Sequence, residues 1–162
     1  MPNRNSAEFR IAIASPGAGA TWRGYEIFAV QLAKCLDALG ANVLLLHGGD
    51  INTADTAYDS KRVRRIDRRS LRARAASRVL PIGPHSIEHY SFAAAAVRDL
   101  HRFEPDAVVA SESVLLALWH KLRASTHRFE PLDNAAFVLT NGGSRTPPFH
   151  YADLVILSLI HI

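Results

Sequence analysis

Cysteine is nearly absent. Cys35 stands alone in 162 residues, which excludes an internal disulfide framework and fits a reducing compartment, so a cytoplasmic protein is expected. It falls on the apolar side of a predicted helix and is expected to be a buried small hydrophobe, not a nucleophile. With no second cysteine, and with His85, His89, His101, His120, His127 and His150 at no metal-ligand spacing, ordinary surface histidines and no metal site are expected. Long apolar runs are missing too: none approaches the ~18 residues that a bilayer span requires. The opening MPNRNSAEFR lacks the charged-then-apolar order of a secretion signal. A P-loop is excluded, because no Gly-Lys pair followed by Ser or Thr occurs.

Acidic residues are scarce in one place. Residues 61 to 78, KRVRRIDRRSLRARAASR, hold nine of the 19 basic residues and one of the 15 acids. This segment carries +8 against a chain total of +4, leaving −4 for the remainder. A basic strip on a mildly acidic body is not the footprint of a nucleic-acid-binding domain. The strip also lacks aromatics on which bases could stack, so no nucleic-acid partner is expected. Two readings stay open. The strip is a solvated face, or it meets an anionic membrane surface or a lipid-diphosphate acceptor through Lys61, Arg62, Arg64, Arg65, Arg68, Arg69, Arg72 and Arg74. The second would place the protein peripherally at the inner face of the membrane. Its apolar contribution, Val63, Ile66 and Leu71, is thin for a membrane-lying helix.

What the chain does have is alternation. Apolar residues make up 48%, enough for one core and one domain. FRIAIA, residues 9 to 14, is an apolar, β-branched run of strand length. YEIFAVQLAKCLDALG then takes helical spacing, with Phe28, Leu32, Cys35, Leu36 and Leu39 on one face and Gly40 as the stop. NVLLLH is near-continuously apolar, as strands covered on both faces are. After the basic strip come a short run RVLPI, a helix SIEHYSFAAAAVRDLHRF between Pro84 and Pro105, and a strand DAVVAS. A helix VLLALWHKLRA and two further strands, AAFVLT and YADLVIL, complete the order. Strand, helix, strand repeated along the chain predicts an α/β fold, a Rossmann-like doubly wound parallel sheet.

In such sheets ligands bind beyond the carboxyl ends of the strands. Gly17, Gly19 and Gly24 follow the first strand, in SPGAGATWRGYE. Glycines let backbone N–H groups approach a ligand, a helix N-terminus adds partial positive charge, and Arg23 adds a full one. A phosphate is the natural guest, against the plainer reading of a connecting turn. NAD fits poorly: the third glycine of the fingerprint comes two residues late, and Asp50 lies 31 residues past Gly19 where ~20 is usual.

RGYEIFAVQLAKCLDALGANVLLLHGGD resembles the opening of the acceptor-side domain of GT-B glycosyltransferases, in the large family of retaining enzymes called family 4. Arg23-Gly24-Tyr25-Glu26 is similar to the RGxE variant of that family's motif. EPDAVVASES, LTNGG and YADLVI continue the likeness in the family's order. The resemblance implies one half of a GT-B fold, and a reaction moving a sugar from a nucleotide-diphosphate donor to a hydroxyl acceptor, for polysaccharide or glycolipid synthesis. That donor is a substrate, and no cofactor is implied. Gly17, Gly19, Arg23, Gly24 and Glu26 would form the donor-phosphate and acceptor loop. Ser111, Glu112, Asn141, Gly142 and Gly143 would line the acceptor cleft. Many relatives carry histidine where Ser111 stands, so no catalytic residue is carried over. Glu104 and Glu112 mimic an E-x7-E donor motif that belongs to the family's other domain, and the match is coincidental.

The resemblance thus implies a transferase domain over residues 1–156, with the donor domain absent and the piece inactive alone. The alternative class is a non-enzymatic Rossmann-like module that binds a phosphorylated ligand. LSLIHI, residues 157–162, equals the translation of a common sequencing-library transposon end and is expected to be adapter read-through.

Overall fold

A computed structural model describes residues 9–21, 23–52, 57–125, 130–141 and 151–157. Six parallel strands form one sheet in the order β3-β2-β1-β4-β5-β6. They are β1 Arg10–Ser15, β2 Asn42–His47, β3 Asp59–Arg62, β4 Ala107–Ala110, β5 Ala136–Asn141 and β6 Leu154–Leu157. The helices are α1 Gly24–Ala38, α2 Leu71–Val79, α3 Pro84–Phe103, α4 Ser113–Ser125 and the short α5 Glu130–Asp133. The strand order is that of a doubly wound Rossmann-like sheet, with the direction of winding reversing between β1 and β4. The expected α/β class is the observed one.

Both faces of the sheet are covered, which is why the middle positions of its inner strands are apolar on both sides, with polar residues confined to the strand ends. Ile11 and Ile13 of β1, with Val43 and Leu45 of β2, pack with Ala29, Val30 and Ala33 of α1. Ala12, Ala14, Leu44 and Leu46 point the other way, into a larger core with Phe92, Trp119 and Phe137. Register follows the alternation: Ile13 lies beside Leu45 on one side and Val109 on the other. Trp119 is fully buried, and its indole N–H donates to the Ala93 carbonyl at 3.0 Å, so α4 is locked to α3.

Two expectations need correction. The buried face of α1 is Glu26, Ala29, Val30 and Ala33, whereas Cys35 is exposed and Leu39 is 82% exposed. Small residues let α1 lie close to the sheet, Leu32 and Leu36 pack at the margin of that face, and Ile27 and Leu39 are turned outward. Nor does the basic strip form one solvated face. Lys61 and Arg62 belong to edge strand β3, where Lys61 pairs with Asp99 and Arg62 with Asp50, both at 2.5 Å. Val63 is buried in the core, and Arg65 and Arg68 turn inward to Glu88. The exposed remainder is Arg64 and Arg69 ahead of α2 and Arg72, Arg74 and Arg78 on it. Among the described residues no helix is long and apolar enough to cross a membrane.

Candidate functional site

Helices that follow parallel strands begin at the carboxyl edge of the sheet, so their N-termini gather there. One pocket opens at this edge, where β1 and β4 end. The β1 side supplies Ser15, Pro16, Gly17, Thr21, Arg23 and Glu26. Arg65, Asp67, Arg68 and Arg69 enter from the segment between β3 and α2. His85, Glu88 and His89 come from the first turns of α3, and Ser111 and Glu112 from the turn into α4.

The loop after β1 is held by its own side chains. Glu26 is 9% exposed, and its carboxylate accepts from the Thr21 hydroxyl and from the Arg23 N–H, each at 3.1 Å. This is one half of a capping box. The other half cannot form, since a guanidinium has no acceptor to offer the helix. Gly17 packs directly on that carboxylate, so a Cβ there would overlap it. Gly19 has φ +78°, and a Cβ would sit 2.7 Å from the Asp50 backbone nitrogen. Its neighbour across the gap is Gly49, and the two loops join through Asp50 N–H donating to the Gly19 carbonyl at 3.1 Å. Gly24, the first residue of α1, faces open space where its side chain would be. Gly17 and Gly19 are therefore required by packing, whereas a side chain at Gly24 would meet nothing, and Gly24 itself is not part of the pocket lining.

Of the residues singled out in the sequence, Gly17, Arg23, Glu26, Ser111 and Glu112 line this pocket. Gly19 lies behind it, against the β2 loop. Asn141 ends β5, next in the sheet to β4, and Gly142 and Gly143 lie outside the described residues. Glu104 and Glu112 flank opposite ends of β4, with Glu104 ending α3 and paired to Arg10 at 3.5 Å, so they share no site.

Residues the pattern reading missed are brought in by topology. Arg65 and Glu88 form an ion pair with side chains only 10% and 8% exposed, and Arg68 Nε reaches the same carboxylate at 3.7 Å. The histidines also need correction. His85 and His89 stand one helical turn apart with ring centroids 4.1 Å from each other, and His89 is 4% exposed. They lie against Glu112, with one donor atom of each residue within 4.8 Å of the others. The i, i+4 spacing was the available signal for the pair. Nothing local announces Glu112 as the third member.

Charge states follow from burial. Desolvation, helped by His85, Arg68 and Arg65, lowers His89 to about 4 and keeps its ring neutral. His85 is lowered for the same reason, with Arg68 and Arg23 adding to it. Burial, then the facing Glu26 carboxylate, raises Glu112 to about 7, against opposing Arg68 and Arg23. The pocket therefore combines cations, two neutral imidazoles and a carboxyl that exchanges its proton near neutrality. Such a set can bind an anion and hold or move a proton beside it.

No family model matches the chain, and no curated protein sequence matches it. Solved structures do. The fold is similar to part of sucrose-phosphate synthase from Thermosynechococcus elongatus, with TM-score 0.58 and 15% identity over 83% of this chain and 33% of that one. It is also similar to part of the catalytic domain of starch synthase IV from Arabidopsis thaliana bound to ADP and acarbose, with TM-score 0.55 and 16% identity over 85% of this chain and 34% of that one. The chain spans about a third of each, and what it shares with these glycosyltransferases is their Rossmann-like α/β fold.

Proposed function

We propose that the chain is the acceptor-side domain of a retaining, family 4-like GT-B glycosyltransferase. The parent enzyme would move a sugar from a nucleotide-diphosphate donor to a hydroxyl acceptor in polysaccharide or glycolipid synthesis. One observation carries the reading: an arginine-lined pocket at the β1–β4 switch point, in a fold shared with about a third of two glycosyltransferases.

In this reading the open N-terminus of α1 beside Gly24, together with Arg23 and Arg68, stabilises charge developing on the leaving diphosphate. Glu112 faces the acceptor hydroxyl. Arg65 is committed to Glu88 and fixes the wall instead of binding substrate. The donor enters as a substrate, and its main binding domain lies beyond this chain, so the chain alone is inactive.

The reading extends to a peripheral place at the inner, anionic face of a membrane. Leu71, Ala75 and Val79 recur every fourth residue as an exposed apolar stripe on α2, flanked by exposed Arg72, Arg74 and Arg78.

The test compares this chain with the product of a reading frame that continues into a second α/β domain. The longer protein, given candidate donors and acceptors, is expected to release nucleoside diphosphate, while this chain releases none. Transfer by the chain alone overturns its being half a site. Tight binding of a phosphorylated ligand with no transfer by either protein favours the binding module, whose cations all come from this one chain.

A further inference from the structure

Helical spacing puts His85 and His89 on one face of α3, and the parallel sheet brings the turn after β4 against that face. The result is two imidazoles and one carboxylate, contributed by two elements 23 residues apart in sequence at their nearest members, His89 and Glu112. We propose that His85, His89 and Glu112 form a binding site for a divalent transition-metal ion of the zinc class. The site opens on the same pocket but does not depend on the transferase reading.

Four observations support it. One donor atom from each residue falls within 4.8 Å of the others. Donors around zinc at ~2.0–2.2 Å stand roughly 3.4 Å apart, so a side-chain shift of about 1 Å closes the set. Next, His89 Nδ1 is buried and has no hydrogen-bond partner among the described residues. An orphan of this kind is costly in a well-packed interior, and a bare imidazole nitrogen is what a transition metal binds. Third, both rings are held neutral by burial, the form in which imidazole is a ligand. Fourth, after burial, Glu26 is the next influence disfavouring charge on Glu112, and a cation beside Glu112 relieves that repulsion.

The neighbouring arginines do not forbid a cation. Arg65 and Arg68 both reach the Glu88 carboxylate, which offsets part of their charge. Two nitrogens and one oxygen select zinc or its near neighbours over magnesium, which prefers an all-oxygen octahedron. Three protein ligands leave a fourth position free on the pocket side, the arrangement of sites whose metal meets water or substrate.

The test uses the chain freed of any histidine tag, titrated with cobalt(II) and read by visible absorption, then with zinc by calorimetry. One ion per chain is expected, with the intense absorption of a four- or five-coordinate cobalt site. His85→Ala, which alters an exposed residue and should leave the fold intact, is expected to weaken binding by more than ~100-fold, since losing even an outer partner costs 10- to 100-fold. Glu112→Gln should weaken it at least tenfold, His120→Ala should not, and zinc should raise the melting temperature of the parent but not of His85→Ala. No one-to-one binding, or binding that His85→Ala and Glu112→Gln leave unchanged, overturns the site. Neither donor nor acceptor enters the assay, so its failure would leave the transferase proposal standing.

Discussion

Arg65 and Glu88 meet in the wall of the pocket as an ion pair from which water is almost excluded, their side chains 10% and 8% exposed. Arg65 Nε also donates to the Gly48 carbonyl at 3.2 Å, tying α3 to the loop after β2. The partners are not equivalent. Removing Glu88 leaves Arg65 and Arg68 facing each other with only the half-exposed Asp67, 4.0 Å from Arg65, to offset them, whereas removing Arg65 leaves Glu88 with Arg68 at 3.7 Å. Glu88→Ala is therefore expected to cost about 3–5 kcal/mol, the usual result of stranding a buried charge, and Arg65→Ala distinctly less. Urea unfolding of the two variants checks this. Equal losses below about 1 kcal/mol would mean that the pair is solvated and holds nothing together.

The glycines of the loops after β1 and β2 separate into two kinds. Gly49 has no room for a side chain, because a Cβ would overlap the backbone of Gly19 and Ala20. Gly24 meets nothing within 4 Å. Gly49→Ala is expected to destabilise by about 1–3 kcal/mol or more, as overpacking against rigid backbone does. Gly24→Ala should be neutral or stabilising by up to about 1 kcal/mol, because alanine is favoured over glycine in a helix. Thermal melts of both variants give the comparison. If Gly24→Ala melts far lower, the open space beside α1 is not open, and the diphosphate reading loses its backbone contact.

The exposed stripe on α2 predicts binding to vesicles containing anionic lipid and little to neutral ones. Arg72, Arg74 and Arg78 at about 1 kcal/mol each make their combined replacement by serine worth roughly 100-fold in vesicle affinity. Leu71→Ser with Val79→Ser should weaken binding by removing the apolar contact. Co-sedimentation at low and high salt is the measurement, since screening at 1 M salt shortens the reach of charge to about 3 Å. Binding that ignores salt, or is equal on neutral vesicles, removes this surface from the proposal.

The sheet was legible wherever a strand is covered on both faces. Arg10–Ser15, Asn42–His47, Ala107–Ala110 and Ala136–Asn141 all announce themselves as apolar runs. Edge strand β3, with sequence DSKR, carries no such signal. It is held by backbone pairing to Leu44–His47 and by ion pairs, and it reads as the start of a charge run. Helix α1 misled in part: Leu32 and Leu36 of the expected face do pack against the core, but Cys35 and Leu39 are exposed. The centre of the buried face is Ala29, Val30 and Ala33, the residues small enough to fit against the strands. At the site, the glycine loop could be read from neighbouring residues. The i, i+4 spacing offered His85 and His89 as a pair, but that they, Arg65 and Arg68 meet Glu112 could not be read, because only the crossover from β3 to β4 brings them together. Charge and histidine content are visible in a string of residues. Which of them turn inward depends on contacts made across the sheet.

His47 ends β2 at 4% exposure, with Nδ1 2.9 Å from the Gly49 carbonyl, so Nδ1–H donates to it. Burial pulls its pKa below the ordinary 6.5, opposed by that hydrogen bond and by Asp50 and assisted by Arg62. A histidine depressed in the folded state binds fewer protons there than in the unfolded chain, so unfolding takes up a proton just below pH 6.5. Stability from this group is thus complete above its unfolded pKa and declines as pH falls through 6.5 toward the folded value. Each unit of depression is worth about 1.4 kcal/mol at full effect. His47→Asn removes the titration while its amide nitrogen keeps a donor near the position of Nδ1. The stability difference between parent and variant is expected to be flat from about pH 7 to 8 and to shift against the parent by about pH 5. Parallel urea-unfolding curves across that range would mean that the ring titrates normally in the fold and that the β2 loop is open to water.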